Sequence, residues 1–453
     1  MTRLNRIAFF LIALTIVVTT MLYGTVHQPT LSLFYLLVAV LMMVWAADGA
    51  INGKVAFSMS LLQLPLLALG IYGLVQIIPL GSYTSDDGIS AVPRTISLYP
   101  FATQITAIHI LFLSAFFAIL LSSLQTAARL RRLAAIVTVF GFIYAFYAIL
   151  QSVLSPTKIF GIYDTGYAIP FGSFVNRHQF AAFTEMTMAV PLGLLFTGAV
   201  RRDKWLLYII AVILMGSSLL LSGSRGGLIA LLCEIILFVI LTSGKKGAKN
   251  FALKVSLTIL LVGAVVAGAI FVGGDTSLTR FADTASSQDI TSNRTHIWAV
   301  TLKVISANMP FGSGLGAYAQ AYTSQDTLSG LEMVEQAHND YLQILADAGV
   351  VGLIIGGLFL FLFFKEGIRN SRRHNTFRRG IAIGAFAGCT AVLIHSLFDF
   401  VLHTTAVSVM FLTLMALMIA AGNRFDDDIT EFDGPNRGQR RSASVTPIRG
   451  SAS

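Results

Sequence analysis

Three short stretches place a cation or a base where apolar sequence meets polar. They are "LSGSRGGLIALL" with Arg225, "TSNRTHIW" with Arg294 and "AHNDYLQILADAGVVGL" with His338. Arg225 stands among Gly223, Ser224, Gly226 and Gly227, small neighbours that permit a tight turn and leave backbone N–H groups accessible. An arginine at a helix N-terminus suits a phosphate, because its fork geometry and the helix dipole act together. Arg294 opens a second helical pattern, for which Ser292 or Asn293 is a fitting cap. His338 precedes Asn339 and Asp340; a helix capped at Asn339 sets its positive end beside the imidazole. A neutral imidazole can take a proton, as a general base must. Each residue also has a plainer reading: a snorkelling arginine, a surface arginine, a loop histidine. Together, two arginines and a base are what moving a group off a diphosphate requires. The cations hold the charge that develops on departure, and the base takes the acceptor's proton.

The elements that must position these residues are membrane helices. Of the 453 residues 55% are hydrophobic and 12% charged, against about a quarter charged in a soluble domain. Apolar runs of roughly 20 residues, the length that spans a bilayer, recur about twelve times. The first follows MTRLNR without a small-residue cleavage site before HQPT, and reads as a retained signal-anchor. With the N-terminus inside, most of the 31 lysines and arginines fall on the cytoplasmic side. The outer side keeps Arg94, Lys158, Arg177, Arg225, Arg280, Arg294 and Lys303. The basic surplus is therefore topological rather than a nucleic-acid footprint. The expected fold is an all-α polytopic membrane protein of about twelve transmembrane helices. Residues 1–422 form its single transmembrane domain, and 423–453 form a polar, disordered cytoplasmic tail. Both termini are cytoplasmic. The largest outer loop, about 274–340, lies between helices 9 and 10; smaller ones cover about 81–103 and 155–178.

Inside the large loop, "RTHIWAVTLKVISANMP" puts Ile297, Trp298, Thr301, Leu302 and Ile305 on one side, an amphipathic helix lying on the membrane face and stopped near Pro310. "PFGSGLGAY" has neither Walker nor Rossmann spacing and reads as a flexible turn rather than a phosphate loop. Asp340, Gln343 and Asp347 fall on one stripe that suits the wall of a polar cavity. Pro65 and Pro191 fall inside spans and are expected to kink them. Ionisable residues at membrane depth are His109, Glu185, Glu234, and His395 with Asp399. The last two, in "HSLFDFVLH", are one helical turn apart and within reach of a mutual hydrogen bond, as a structural pair or a site wall. Asp86 and Asp87 read as a solvated turn rather than a metal site. A transporter of the facilitator type would show a long central inner loop, whereas here the longest loop is outer. No nucleotide sugar is available outside the cytoplasm, so a lipid-borne donor fits the outward-facing cations.

In chain order, "FGSFVNRHQFAAF", "SGSRGGLIALL", "NRTHIW", "PFGSGLGAY" and "AHNDYLQILADAGVVGL" resemble the O-antigen ligase and polymerase family of bacterial membrane glycosyltransferases, over about residues 165 to 405. The resemblance implies a type C glycosyltransferase-like fold that uses an undecaprenyl-diphosphate-linked glycan as donor, without metal, cofactor or nucleotide sugar. It implies an acceptor hydroxyl on lipid A-core or another glycan, reached at the outer face of the inner (cytoplasmic) membrane. Polymerases of O-antigen or exopolysaccharide repeat units and protein O-glycosylating enzymes are other branches; a polysaccharide flippase is the more distant reading. By the same resemblance Arg225 and Arg294 are the diphosphate-binding arginines and His338 the catalytic base. Arg177 and His178, in "NRHQF", line the same entrance. Asn339, Asp340, His395 and Asp399 are further candidates for cavity lining.

Overall fold

Sequence this apolar can bury its backbone polar groups in a membrane only by forming helices, and the chain is built of them. A computed structural model describes residues 2–243, 255–271, 294–327 and 333–423, apart from residues 56, 85–87, 89, 167, 257 and 261. The helices are α1 (Arg3–Met21), α2 (Gln28–Asn52), α3 (Gln63–Gln76), α4 (Pro100–Ser123), α5 (Ala127–Leu154), α6 (Arg177–Thr197) and α7 (Trp205–Ser222). They continue as α8 (Arg225–Thr242), α9 (Thr258–Phe271), α10 (Arg294–Ala307), α11 (Tyr318–Gln325), α12 (Asp340–Ser371), α13 (Thr376–His395) and α14 (Thr405–Gly422). Strands among the described residues are limited to two short hairpins, Ser82–Tyr83 with Val92–Pro93 and Lys158–Ile159 with Tyr163–Asp164. Asp86, Asp87, Arg280, Ser292, Asn293 and the tail from residue 424 lie outside the described residues.

Ten of these helices are long and apolar enough to cross a membrane, so the protein is an all-α, multi-pass membrane protein. Two expected spans, α3 and α9, are shorter. The 14 residues of α3 make about 21 Å of helix, against a bilayer core of about 30 Å. α3 stops where its last residue is needed for another task. The Gln76 side chain donates to the carbonyls of Phe311 (3.1 Å) and Asp347 (2.9 Å) and accepts the Leu315 N–H (3.0 Å). Pro65 falls in the first turn of α3, where a missing N–H costs nothing, so it introduces no kink.

At the centre stand α6, α13 and α14, most of whose residues are buried. Lipid tails give apolar helices no reason to prefer one another over solvent, so close backbone approach through small residues holds such helices together. α13 presents Gly380, Gly384 and Gly388 one turn apart to Ala189 and Gly193 of α6. A Cβ on Gly384 would lie 2.5 Å from the Ala189 carbonyl, and one on Gly193 would meet the Gly380 carbonyl. This packing fixes the height of α6 against α13, and so the relative positions of His178, Glu185 and His395.

α12 is not a continuous helix. It is broken at Gly349 (φ 58°), where the Pro310 carbonyl enters from outside and accepts the Val350 N–H at 2.8 Å. A Cβ at Gly349 would collide with that carbonyl. The turn that follows Pro310 is rigid rather than flexible, with Gly312, Gly314 and Gly316 all at positive φ. Its amides are bound within the protein: Ser313 to Ala346 O, Gly314 to Asp347 O, Leu315 to Gln76 and Gly316 to the Asp347 carboxylate. It has no N–H row to offer a phosphate. The expected cavity stripe is corrected accordingly, because Gln343 and Asp347 are buried and serve this turn. Gln343 accepts the Ala337 N–H at 2.7 Å and donates to Asp347 at 3.2 Å.

α10 forms where the apolar spacing places a helix. Its Val300, Val304 and Ile305 pack on Tyr318 and Tyr322 of α11 and Ala346 of α12, while Leu302 is 58% exposed. The helix has a protein partner for part of its apolar face and packs against the first half of α12.

Replacing Gly384 by leucine forces α6 and α13 apart. The expected loss is about 1–3 kcal/mol, read as a lower unfolding temperature in detergent. Gly356→Ala, where a Cβ meets nothing within 4 Å, is expected to leave that temperature unchanged.

Candidate functional site

Four helices begin at one end of the bundle, and three of them carry side-chain caps. Asn176 accepts the His178 N–H at 2.9 Å at the start of α6. Ser224 accepts the Gly227 N–H at 3.1 Å at the start of α8. Asn339 accepts the N–H groups of Tyr341 and Leu342, both at 3.0 Å, at the start of α12. The fourth, α10, begins with Arg294. Each start carries partial positive charge from unpaired N–H groups.

The turn after α13, residues 396–404, brings these starts together. α12 is clamped to it: the Asp340 N–H donates to Ser396 O (2.9 Å), Asn339 Nδ2 to Leu397 O (3.0 Å) and the Tyr341 hydroxyl to Leu393 O (2.8 Å). The Asp340 carboxylate accepts the Leu402 N–H at 3.3 Å and lies 2.8 Å from His403 Nδ1. Arg294 donates through Nη1 to the Phe398 carbonyl and through Nη2 to Asp399 Oδ2 at 3.2 Å. Trp298, one turn into α10, donates to Ala337 O at 3.0 Å and so ties the arginine's helix to the residue before His338. His338 itself takes φ 49°, in the left-handed region that favours glycine. The anchors at Ala337 and Asn339 hold it there.

Asp399 is the common partner. Its Oδ1 lies 3.3 Å from His338 Nδ1, and its Oδ2 3.2 Å from Arg294 Nη2 and 3.8 Å from His178 Nδ1. The carboxylate side chain is 4% exposed, whereas His178, Arg294 and His338 are 19%, 22% and 32% exposed. The anion is thus sealed, and its cationic and imidazole partners face the opening. Burial works against ionisation of Asp399. The hydrogen bond from His338, the Arg294 charge and the nearby His178 imidazole outweigh it and hold the group well below the usual carboxylate range.

The hydrogen bond anticipated between His395 and Asp399 does not form. α13 ends at His395, the chain turns, and the two side chains diverge. His395 points inward, its Nδ1 3.0 Å from Glu185 Oε1 and its Nε2 3.4 Å from Ser224 Oγ. The same serine hydroxyl lies 2.8 Å from His178 Nδ1. Glu185, flagged in the sequence only as a lone acid at membrane depth, is thereby joined to the site.

Arg225 is the first residue of α8, half-buried and next to Ser224. Arg177 opens α6 and lies over Gly223, with Nη1 3.4 Å from where a Cβ would stand. The glycines flanking Arg225 serve packing rather than amide exposure. A Cβ on Gly226 would be 2.7 Å from the His395 ring, and one on Gly227 2.8 Å from Ala181 and 3.1 Å from the Glu185 carboxylate. All nine residues singled out in the sequence therefore lie on the four helix starts or on the end of α13 and the turn that follows. Among the described residues, no three His, Cys, Asp or Glu side chains converge as a metal-ligand set.

What the cluster can do chemically follows from donors and acceptors. An ionised carboxylate only accepts, so His338 carries its proton on Nδ1 toward Asp399 and presents a lone pair on Nε2. Arg294 uses one N–H on Phe398 and one on Asp399, leaving three of a guanidinium's five for an anion. A comparison with curated proteins finds no match. Residues 210–356 match the family described as O-antigen ligase, a stretch that runs from α7 past the break in α12 and carries Arg225, Arg294 and His338. Arg177, His178 and Glu185 reach the cluster from before that stretch, and His395 and Asp399 from after it. Over residues 210–356 this chain is therefore similar to the O-antigen ligase family.

Proposed function

We propose that the protein transfers a glycan from an undecaprenyl-diphosphate carrier to an acceptor hydroxyl, on lipid A-core or another glycan, at the outer face of the bacterial inner membrane. The observation that carries this reading is the base and an arginine sharing one sealed carboxylate where four helices start. Such a place favours a phosphate-bearing substrate and leaves His338 Nε2 able to take a proton. The family match and the multi-pass fold support the same class of membrane glycosyltransferase.

In this reading the acceptor O–H gives its proton to His338 Nε2 as its oxygen bonds to the anomeric carbon. The bond from that carbon to the diphosphate oxygen breaks, and its electron pair leaves on the diphosphate. Arg225, Arg294 and the helix starts stabilise that charge. Asp399 keeps His338 in the tautomer that can accept, and stabilises the imidazolium once formed. Arg177 lies beside the same opening, and Asn339 and Asp340 hold the rim in place. No metal ion enters these steps.

The test is transfer in detergent from a lipid-diphosphate glycan to candidate acceptors, with products resolved by mass. Arg225→Ala and Arg294→Ala are each expected to lower the rate on the order of 10²–10³-fold with membrane insertion intact; normal products from either would remove the diphosphate role. His338→Ala is expected to abolish transfer at pH 7. Asp399→Asn preserves shape but permits the wrong tautomer, and its expected loss is on the order of 10³–10⁴-fold; an unaffected rate would show that the carboxylate does not orient the base. Transfer is expected to persist in EDTA, and strict loss there would point to a metal-dependent mechanism instead.

A further inference from the structure

The mechanism above leaves Glu185, His395, Ser224 and His178 unused, yet they form one unbroken hydrogen-bonded line. Glu185 Oε1 is 3.0 Å from His395 Nδ1, His395 Nε2 3.4 Å from Ser224 Oγ, and Ser224 Oγ 2.8 Å from His178 Nδ1. Glu185 and His395 are both fully buried, Ser224 is 4% exposed, and only His178 reaches the opening. Burying an acid and an imidazole in a membrane protein is costly unless they serve each other or a function. Gly226 and Gly227, which admit the His395 ring and the Glu185 carboxylate, show that the fold makes room for them.

Counting donors and acceptors gives the line two self-consistent states. The Ser224 oxygen always accepts the Gly227 N–H, so one lone pair and one O–H remain for the two imidazoles. When His395 is neutral with its proton on Nδ1 toward Glu185, its Nε2 must accept the serine O–H. Ser224 then accepts from His178 Nδ1–H, and His178 Nε2 carries a lone pair. When His395 holds protons on both nitrogens, it donates to Ser224. The serine then donates to His178 Nδ1, and the His178 proton must sit on Nε2.

We propose that Glu185, His395, Ser224 and His178 are a buried proton relay, which makes His178 a second proton-handling group at the transfer site. A proton from an acceptor hydroxyl or water binds His178 Nε2. His178 Nδ1 passes its own proton to Ser224, and Ser224 passes its hydroxyl proton to His395 Nε2. His178 and Ser224 end neutral, and the added proton rests on His395 as an imidazolium paired with Glu185. Nothing is oxidised or reduced, and no other bond changes. Around His178 stand Arg177, Arg294 and Asp399; Asp399 and Asp340 act on His395; and Glu234, on the α8 face that carries Gly227, neighbours Glu185. The relay is a property of the resting protein and holds whatever group is transferred, so failure of the glycan reading leaves it standing.

The test is solid-state nitrogen NMR on the full chain in bilayers, with its eight histidines labelled and the signals assigned by His178→Gln and His395→Gln. In the native protein the His178 proton is expected to move from Nδ1 to Nε2 in the same pH step in which His395 becomes an imidazolium, with any protonation of His178 itself a separate step. Ser224→Gly removes the hydroxyl but leaves an acceptable helix start; the two histidines are then expected to titrate independently. Glu185→Gln removes the charge that stabilises the stored proton, and His178 is expected to lose the coupled step. A His178 titration unchanged in either variant, or uncoupled from His395 in the native protein, overturns the relay. If Ser224→Gly fails to fold, Glu185→Gln alone decides.

Discussion

A carboxylate sealed from water must be surrounded by positive charge and hydrogen-bond donors, and Asp399 imposes that requirement on one end of this bundle. Its partners come from three separate elements: His178 from α6, Arg294 from α10 and His338 from the residue before the α12 cap. None of these elements is held there by chain continuity. Removing one partner from a buried pair costs about 3–5 kcal/mol, because the remaining charge stays stranded. The same anion that gathers the helix starts also faces His338, so assembly of the cluster and the tautomer of that imidazole depend on one group.

Below the carboxylate the constraint passes to backbone contact. Gly380, Gly384 and Gly388 set α13 against α6, and the glycines after Arg225 set α8 against both. The small residues of "SRGG" and of α13 are one device used twice, letting helices come close enough for His395, Ser224 and Glu185 to bond in the interior. The turn after Pro310 uses the device again, since the Pro310 carbonyl occupies the break at Gly349 and ties α10, α11 and the first half of α12 together.

The fold class and most of the helices were legible in the sequence, because hydrophobic length is a direct consequence of membrane thickness. Arg225, Arg294 and His338 stood out because cations and imidazoles are conspicuous beside apolar runs, and the Asn339 cap was readable from its place before "DYLQIL". Partner identity was not legible. Spacing suggested that His395 would meet Asp399, but α13 ends at that histidine, and spacing cannot show where a helix gives way to a turn. Gln343 and Asp347 looked like cavity lining because a polar stripe carries no mark of whether water or a glycine turn lies opposite. The protein partner of α10 was hidden for the same reason: an apolar face asks for a partner without naming it. Glu185 was visible as an oddity in α6, and only the depth of α13 beside it gives it a partner.

The clamp of α12 on the end of α13 and its turn is made largely through main-chain groups of Leu393, Ser396, Leu397 and Leu402, and the Phe398 carbonyl holds Arg294 of α10. Asp399 and His403 are the positions in this turn that hold Asp340, His338 and Arg294 through their side chains. The neighbouring side chains differ in what they touch: Leu397 is exposed, whereas Phe400 packs edge-on against the His338 ring at 4.9 Å. Such an arrangement divides the work of the turn: the main chain fixes its path, and two side chains tie the helix starts to it.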